Sequence, residues 1–380
     1  MSDVAYPWTK GGMEAIHCLE MKELARNNEV YCFCMRFEGM EDEFFKDGVH
    51  YVTAGKASSA ELYTEKGTRS IALARRFASA LPNALKPYHF DLVYANSFPY
   101  LHLKAVKAYC RANGSKLALD VAEVWSLKRW KDYLGRVKGI AAYHYAKNAL
   151  KGADAYIANS SSTAKDLANA GIPKGKITVL SPVIDLKTMP KPAKKQPVII
   201  YAGRLIKEKR LDLWIDAVAK AHKLNAEIKG LIVGSGPEEA AVKKTIKHYP
   251  FIKMRKPYSS KTQLYSAIGR SMAMLNMSER EGLSVIAIES AALGTAPVLP
   301  DYTPIPDEVK ELSIVKSAED IPKAIADIMS GRIKYKANKQ KLERFDVKRI
   351  IEAFSMLCMS RRKPNRDGQS AGEEFKTYSR

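Results

Sequence analysis

The chain is poor in the features that carry several common chemistries. No apolar run reaches the ~18 residues that a membrane-crossing helix requires. Residues Met1 to Lys10 have neither the basic start nor the apolar stretch of a secretory leader, so a cytoplasmic protein is expected, at most peripheral on the inner face of the plasma membrane. Five cysteines (Cys18, Cys32, Cys34, Cys110, Cys358) form an odd, sparse set without C-x-x-C spacing, which argues against a disulfide scaffold and a structural zinc site. The seven histidines show neither H-x-x-x-H nor H-E-x-x-H spacing, so no catalytic metal is expected, and each lone histidine reads as a surface or core residue. There is no G-x-x-x-x-G-K-[ST] phosphate loop and no G-x-S-x-G nucleophile elbow. The one dinucleotide-like segment, Gly234-Ser235-Gly236-Pro237-Glu238-Glu239, lacks the third glycine of a nicotinamide fingerprint.

What is present points elsewhere. A chain of 380 residues with 46% apolar side chains can bury a large core, and at ~100 to 200 residues per domain it favours two domains. Sixty-two basic against 41 acidic residues give a formal charge of +21, so an anionic partner is expected. Nucleic acid is the weakest candidate, because no helix-turn-helix, zinc-finger or RNP-type motif accompanies the charge.

Short apolar runs alternate with helical patterns along the chain: Leu92 to Ala95, Leu117 to Leu119, Tyr156 to Ala158, Val198 to Ala202, Leu231 to Val233, Met272 to Leu275 and Pro297 to Leu299. Strands that are apolar on both faces belong to parallel sheets covered by helices, which predicts doubly wound α/β domains. Residues 183–196, within a stretch of three prolines and four lysines, read as a linker between domains at 1–182 and 197–345. Beyond the second domain, Val347, Ile350, Ile351, Phe354 and Leu357 make a helical stripe, so residues 346–359 are expected to return to the first domain as a helix. Residues 360–380 are polar and broken by Pro and Gly, and a disordered tail is expected there.

Two segments carry chemistry. In the first, Glu281-Gly282-Leu283-Ser284-Val285 to Glu289, a strand is expected to run into Glu281-Gly282 and a helix to follow to Gly294. Gly282 lets a ligand approach the backbone, and the helix start offers N–H groups to an anion or a sugar hydroxyl. The eight-residue step from Glu281 to Glu289 would span roughly 12 Å on a helix, suiting a ligand as long as a nucleotide sugar. Each carboxylate alone also fits a plainer role, Glu281 as a helix-start residue and Glu289 as a partly exposed one. In the second segment, Gly203-Arg204 leaves a buried strand and Lys209 follows, placing two cations where such sheets bind ligands; solvated loop charges are the plainer alternative.

Together these segments resemble the retaining glycosyltransferases of family 4, with the GT-B fold of two facing Rossmann-like domains. The resemblance extends over most of the chain: Ala5 to Glu14 looks like the family's first strand and glycine loop, leading into a helix from Ala15 to Ala25, and Asp120 to Trp125 like its acceptor-side strand end. Tyr156 to Ser160 is similar to the strand entering the last helix of the N-terminal domain, and Val233 to Glu238 to the second domain's strand-to-helix turn. The family's E-x7-E motif matches Glu281 and Glu289. The resemblance implies a nucleotide-sugar site in which Glu289 binds the ribose and Glu281 faces the donor sugar, while Arg204 and Lys209 hold the diphosphate and stabilise the leaving group without a metal or other cofactor. Gly11, Gly12, Gly203, Gly282, Leu283, Ser284 and Val285 would line the donor, and Asp120 and Glu123 would lie on the acceptor side. The implied reaction moves a sugar with retention from a nucleoside diphosphate sugar to a hydroxyl of a glycan, a lipid-linked glycan or a lipid. Ala122 stands where the family commonly has a histidine, so a nucleotide-sugar-binding subunit without transfer is the alternative.

One further stretch, residues 125–151, holds Lys128, Arg129, Lys131, Arg136, Lys138, Lys147 and Lys151 among Trp125, Trp130, Tyr133, Tyr143 and Tyr145. It reads either as a surface for anionic membranes or as a solvated face with its aromatics in the core.

Overall fold

In the computed structural model, residues 1–9, 12–64, 68–191 and 193–359 are described. Gly11 and residues 360–380, the latter expected to be a disordered tail, lie outside them.

The N-terminal half builds two small sheets. Val30–Arg36 (β1) pairs in parallel with Val49–Lys56 (β3), and Glu43–Lys46 (β2) is antiparallel to β3. The β2–β3 hairpin turns on Asp47-Gly48, both with positive φ (54° and 83°), because two left-handed residues match the twist of the flanking strands. Leu92–Asn96 (β4), Lys116–Val121 (β5), Ala155–Ala158 (β6) and Ile177–Val179 (β7) form a parallel sheet in that order. Met1 to Ala5 lies between the two sheets in the place of a strand. The Ser2 amide donates to Phe33 O at 3.1 Å on one side, and Met1 O accepts from Asn96 at 3.0 Å on the other.

The helices of this half are Gly12–Leu24 (α1), Ile71–Leu85 (α2), Leu103–Asn113 (α3), Leu127–Leu134 (α4), Arg136–Leu150 (α5) and Ser161–Asn169 (α6). α1 begins at Gly12 rather than at Ala15. Its core joins Phe33, Phe77, Leu119 and Tyr156.

The C-terminal half is one six-stranded parallel sheet of Gln196–Ala202 (β8), Lys229–Val233 (β9), Ile252–Arg255 (β10), Ser271–Leu275 (β11), Ala296–Pro300 (β12) and Ile314–Lys316 (β13). Its spatial order, β10-β9-β8-β11-β12-β13, reverses direction between β8 and β11. Connections on either side of that point leave in opposite directions, and a crevice opens outside the carboxyl ends of the two strands.

Leu211–Leu224 (α7), Glu239–Ile246 (α8), Lys261–Arg270 (α9), Val285–Ala292 (α10), Asp307–Lys310 (α11), Ile321–Met329 (α12) and Lys339–Glu343 (α13) complete this half. α7 buries Leu211, Trp214, Ile215, Val218 and Ala221, a helical stripe that meets Ile321 and Ile325 of α12 over the sheet. The other face carries α9 and α10. The linker is fastened to it by Lys195, whose Nζ donates to Gly269 O at 2.8 Å and to Thr295 Oγ1 at 2.7 Å, and burial lowers this lysine to about 8.

The chain passes between the halves twice, and the two passes lie side by side. Val183 and Ile184 donate to Phe345 O at 2.9 and 3.0 Å, and Val347 donates back to Ile184 O at 2.8 Å. Residues 346–348 therefore belong to the crossing, and the return helix starts at Arg349, running to Met359 (α14). Ile350, Ile351, Phe354 and Leu357 pack it on Leu19 and Leu24 of α1 and on Tyr94, so the C-terminal helix closes on the N-terminal half.

Candidate active site

The crevice at the β8–β11 reversal is lined by the loops that leave those strands. After β8, Gly203 and Arg204 turn sharply; Tyr201 donates its hydroxyl to Arg204 O at 2.8 Å, and a Cβ at Gly203 would come within 3.0 Å of that hydroxyl. Arg204 is exposed, and its guanidinium lies 5.9 Å from the ring centre of Tyr63 in the N-terminal half. No carboxylate among the described residues comes within ion-pair distance of it. A 3₁₀ turn over Lys207–Lys209 then brings Lys209 Nζ to 2.7 Å from Glu281 Oε1.

Glu281 is held from three directions. Besides Lys209, Asn276 Nδ2 and Ser278 Oγ each donate to Oε1 at 2.7 Å. The motif is built differently from the expectation. β11 ends at Leu275 and α10 starts only at Val285, so Glu281 and Gly282 sit in a loop and the rise of an eight-residue helix does not measure the distance to Glu289. Asn276 and Ser278 act as the scaffold of that loop. Ser284 enters α10 with φ 57° and ψ 61°, a left-handed conformation that costs a residue with a Cβ about 1 to 2 kcal/mol. Leu283 is buried beneath it, and Val285 opens the helix.

Glu289 is 4% exposed, not a partly exposed helix carboxylate. Tyr265 donates its hydroxyl to Glu289 Oε1 at 2.9 Å and Lys261 Nζ lies at 2.9 Å, both from α9. A buried carboxylate without such partners would cost several kcal/mol. Burial, then the charge of Glu289, pushes the Tyr265 phenol well above its ordinary range.

Across the crevice, Gly12 is the first residue of α1 with open space around it. Gly282 meets the other half directly: a Cβ there would stand 2.7 Å from Glu123 Oε1. Glu123 accepts from the Trp125 indole at 2.7 Å and from Arg280 Nη2 at 3.0 Å. Asp120, at the end of β5, is 4% exposed and faces α1, where His17 Nε2 lies 2.7 Å from its Oδ2. Burial works against a charged His17, but the Asp120 hydrogen bond and charge, helped by Glu20, outweigh it and raise the imidazole to about 9. Burial pushes Glu20 of the same helix up to about 8. His17 had no local signal, because its partner is 103 residues away.

The aromatics of the basic stretch turn mostly inward. Trp130 is buried, and Trp125 packs within 5.4 Å of Phe98, Trp130 and Tyr133. The large apolar residues left exposed on α5 are Val137 (80%), Ile140 and Tyr145. Among the described residues no group of three or more His, Cys, Asp or Glu side chains is placed to hold a metal ion, and no helix is long and apolar enough to cross a membrane.

Two family models match the chain in tandem, Glycosyltransferase Family 4 over residues 10–188 and Glycosyl transferases group 1 over residues 185–345. The chain belongs to glycosyltransferase family 4. This glycosyltransferase shares its fold with the lipopolysaccharide outer core galactosyltransferase WaaB, at 19% identity and TM-score 0.63, covering 93% of this chain and 98% of WaaB. Sucrose-phosphate synthase from Thermosynechococcus elongatus superposes with TM-score 0.72 at 16% identity, over 91% and 92% of the two chains. HepE from Anabaena, whose structure contains UDP, does so with TM-score 0.69 at 15% identity, over 94% and 98%. None of the curated proteins matches. These likenesses establish the GT-B architecture for this glycosyltransferase.

Two outcomes test the local geometry. Ser284→Gly removes the left-handed strain and should raise unfolding free energy in urea by up to about 1 kcal/mol, after allowance for the freer unfolded glycine. His17 has a raised pKa in the folded state, so its stabilisation is complete below about 6.5 and is lost as the pH rises through about 9. The stability gap between wild type and His17→Asn, measured by urea unfolding, should therefore narrow over that window.

Proposed function

We propose that this glycosyltransferase binds a nucleoside diphosphate sugar in the β8–β11 crevice and transfers the sugar, with retention, to a hydroxyl acceptor held by the N-terminal half. The observation that carries the reading is the arrangement around the crevice. Arg204, an exposed arginine with no ion pair among the described residues, shares the crevice with the Lys209–Glu281 pair, and Glu289, a pinned, buried carboxylate, stands on the helix that follows the Glu281 loop. Arg204 and Lys209 supply positive charge where a diphosphate would sit, Glu289 fits ribose hydroxyls, and Glu281 with the Gly282 loop fits the sugar. Leu283, Ser284 and Val285 line the loop, Gly203 lets the diphosphate approach the backbone, and Gly12 faces it from α1.

In the proposed step the bond from the anomeric carbon to the β-phosphate oxygen breaks and its electron pair stays on the phosphate. The acceptor hydroxyl forms a new bond to that carbon from the same face, and its proton passes to the departing phosphate oxygen. Fixed cations beside the growing phosphate charge lower the barrier because they need no reorganisation as the charge appears. This accounts for leaving-group stabilisation without assigning a metal or other cofactor. Glu123, bordering the crevice, belongs to the acceptor side; Asp120, engaged by His17, supports the strand end that carries it.

Thermal unfolding in EDTA with UDP, GDP or ADP, alone and as their sugars, tests the donor site, with UDP first because HepE holds it. A ligand at ~100 times its dissociation constant adds ~2.7 kcal/mol, so one nucleotide family should raise the melting temperature of wild type and not of Glu289→Ala. Arg204→Ala should lose about 1.5 to 3 kcal/mol of diphosphate binding, the scale of a charged hydrogen bond. Undiminished affinity in both variants would remove the assignment, and binding without transfer to any acceptor would favour a non-catalytic subunit.

The acceptor is proposed to be a glycan, a lipid-linked glycan or a lipid, reached in the cytoplasm from an anionic membrane surface through residues 125–151. The exposed Val137, Ile140 and Tyr145 on α5, with Arg136 and Lys138 exposed beside them, support this face as the contact. Sedimentation with phosphatidylglycerol vesicles should show binding that falls in high salt and in Val137→Ser/Ile140→Ser and Arg136→Gln/Lys138→Gln variants. Equal sedimentation of all three proteins would exclude this face.

A further inference from the structure

Beside the sugar loop, two arginines from opposite halves converge on one carboxylate. Glu123 Oε2 lies 3.0 Å from Arg280 Nη2 and 3.7 Å from Arg129 Nη2, and it also accepts from the Trp125 indole at 2.7 Å. Among the described residues, neither guanidinium is saturated. Arg280 gives Glu123 a single nitrogen, since the second contact, at 3.4 Å, comes from the same Nη2, and its Nε reaches Glu208 only at 3.3 Å. Arg129 lies over Trp125, 4.3 Å from the ring centre, and its Nε is buried without a hydrogen-bond partner among the described residues.

A guanidinium fork binds a carboxylate or phosphate best through two parallel hydrogen bonds, and a buried donor without a partner carries a desolvation cost. The arrangement around Glu123 falls short on both counts. Carboxylates are also crowded here. Burial raises the pKa of Glu208, and the neighbouring charges of Glu123 and Glu281 raise it further against Lys209 and Arg204. The Glu123 side chain is 28% exposed, and an ion pair so open to solvent contributes little, so exchanging it for another anion costs little. Its position decides what that anion would belong to. Glu123 stands against Gly282, next to Glu281, so a group bound between Arg129 and Arg280 would sit beside the transferred sugar on the acceptor side.

We propose that Arg129 and Arg280 form a two-arginine seat for an anionic group on the acceptor, a phosphate or a carboxylate close to the accepting hydroxyl, and that Glu123 is the internal counterion such a group displaces. The seat rests on the glycosyltransferase reading above. It makes the enzyme selective for charged acceptors, and it draws one arginine from each half, so an anionic acceptor would hold the crevice closed from both sides.

The test uses three probes sharing one pyranose ring: glucose, glucuronate and glucose 6-phosphate. They are titrated by calorimetry at constant ionic strength, with the donor crevice filled by the nucleoside diphosphate that stabilises the protein. At least one charged sugar should bind about tenfold more tightly than glucose, the scale of one charge-assisted contact. Which of the two binds better separates carboxylate from phosphate. Arg129→Gln and Arg280→Gln should abolish the preference while the nucleotide still raises the melting temperature. Glu123→Gln should strengthen charged-sugar binding by about threefold or more, because a competing carboxylate is gone. A Glu123 that contacted the acceptor itself would give the opposite sign. Equal binding of the three sugars, no binding of either charged sugar, or weaker charged-sugar binding in Glu123→Gln would overturn the seat. Absence of any nucleotide stabilisation would instead place the failure in the donor reading.

Discussion

The reversal of strand order between β8 and β11 is the constraint on which the rest of this molecule depends. In a parallel sheet every connection must cross a face and return, and right-handed crossovers put successive helices on one face until the order changes direction. Where it changes, the loops after the two central strands part, and backbone N–H groups, glycines and side chains face an open crevice instead of a covering helix. Arg204 and Lys209 stand on the loop after one of those strands and Glu281 on the loop after the other. The meeting of Lys209 and Glu281 at 2.7 Å, 72 residues apart in sequence, follows from the topology.

That crevice is expensive to build from acids, and the structure meets the cost with fixed donors. Glu281 receives a lysine, an amide and a hydroxyl on one oxygen, and Glu289 a phenol and a lysine. Both carboxylates are thereby locked in place before any ligand arrives, which lowers the ordering cost of binding. The same logic appears on the N-terminal side, where Asp120 is neutralised by His17 of α1 and so ties that helix to the end of β5.

The two halves are coupled at both ends of the cleft. At one, the paired passes at Ile184 and Val347 and the docking of α14 on α1 hold the domains as neighbours. At the other, Arg280 reaches Glu123 in an ion pair whose side chains both touch solvent. The contacts near the hinge are backbone hydrogen bonds and apolar packing, whereas those at the mouth are solvent-touched charges. Relative motion would therefore break the second set first, which suits an enzyme that must admit and release its substrates.

Much of the architecture was legible in the chain itself. Seven apolar runs, from Leu92 to Leu299, lie in β4, β5, β6, β8, β9, β11 and β12, because strands buried on both faces must be apolar throughout. The sequence also carried the E-x7-E and Gly-Arg segments that mark the family. The expected runs include neither β1, although Val30 to Met35 is continuously apolar, nor β3; β2, β7, β10 and β13 are short or at sheet edges, where half-exposed positions dilute the apolar signal, and Asp47-Gly48 is the cue for the hairpin. Only the tertiary structure decided that Glu281 sits in a loop rather than on α10, that Ser284 takes a left-handed turn, that His17 serves Asp120, and that Glu123 lies between arginines of two domains. Local composition determines which segments become strands and helices, through burial and backbone preference. Partners separated by 72 to 157 residues are chosen by how those elements pack, and no periodicity in the chain encodes them.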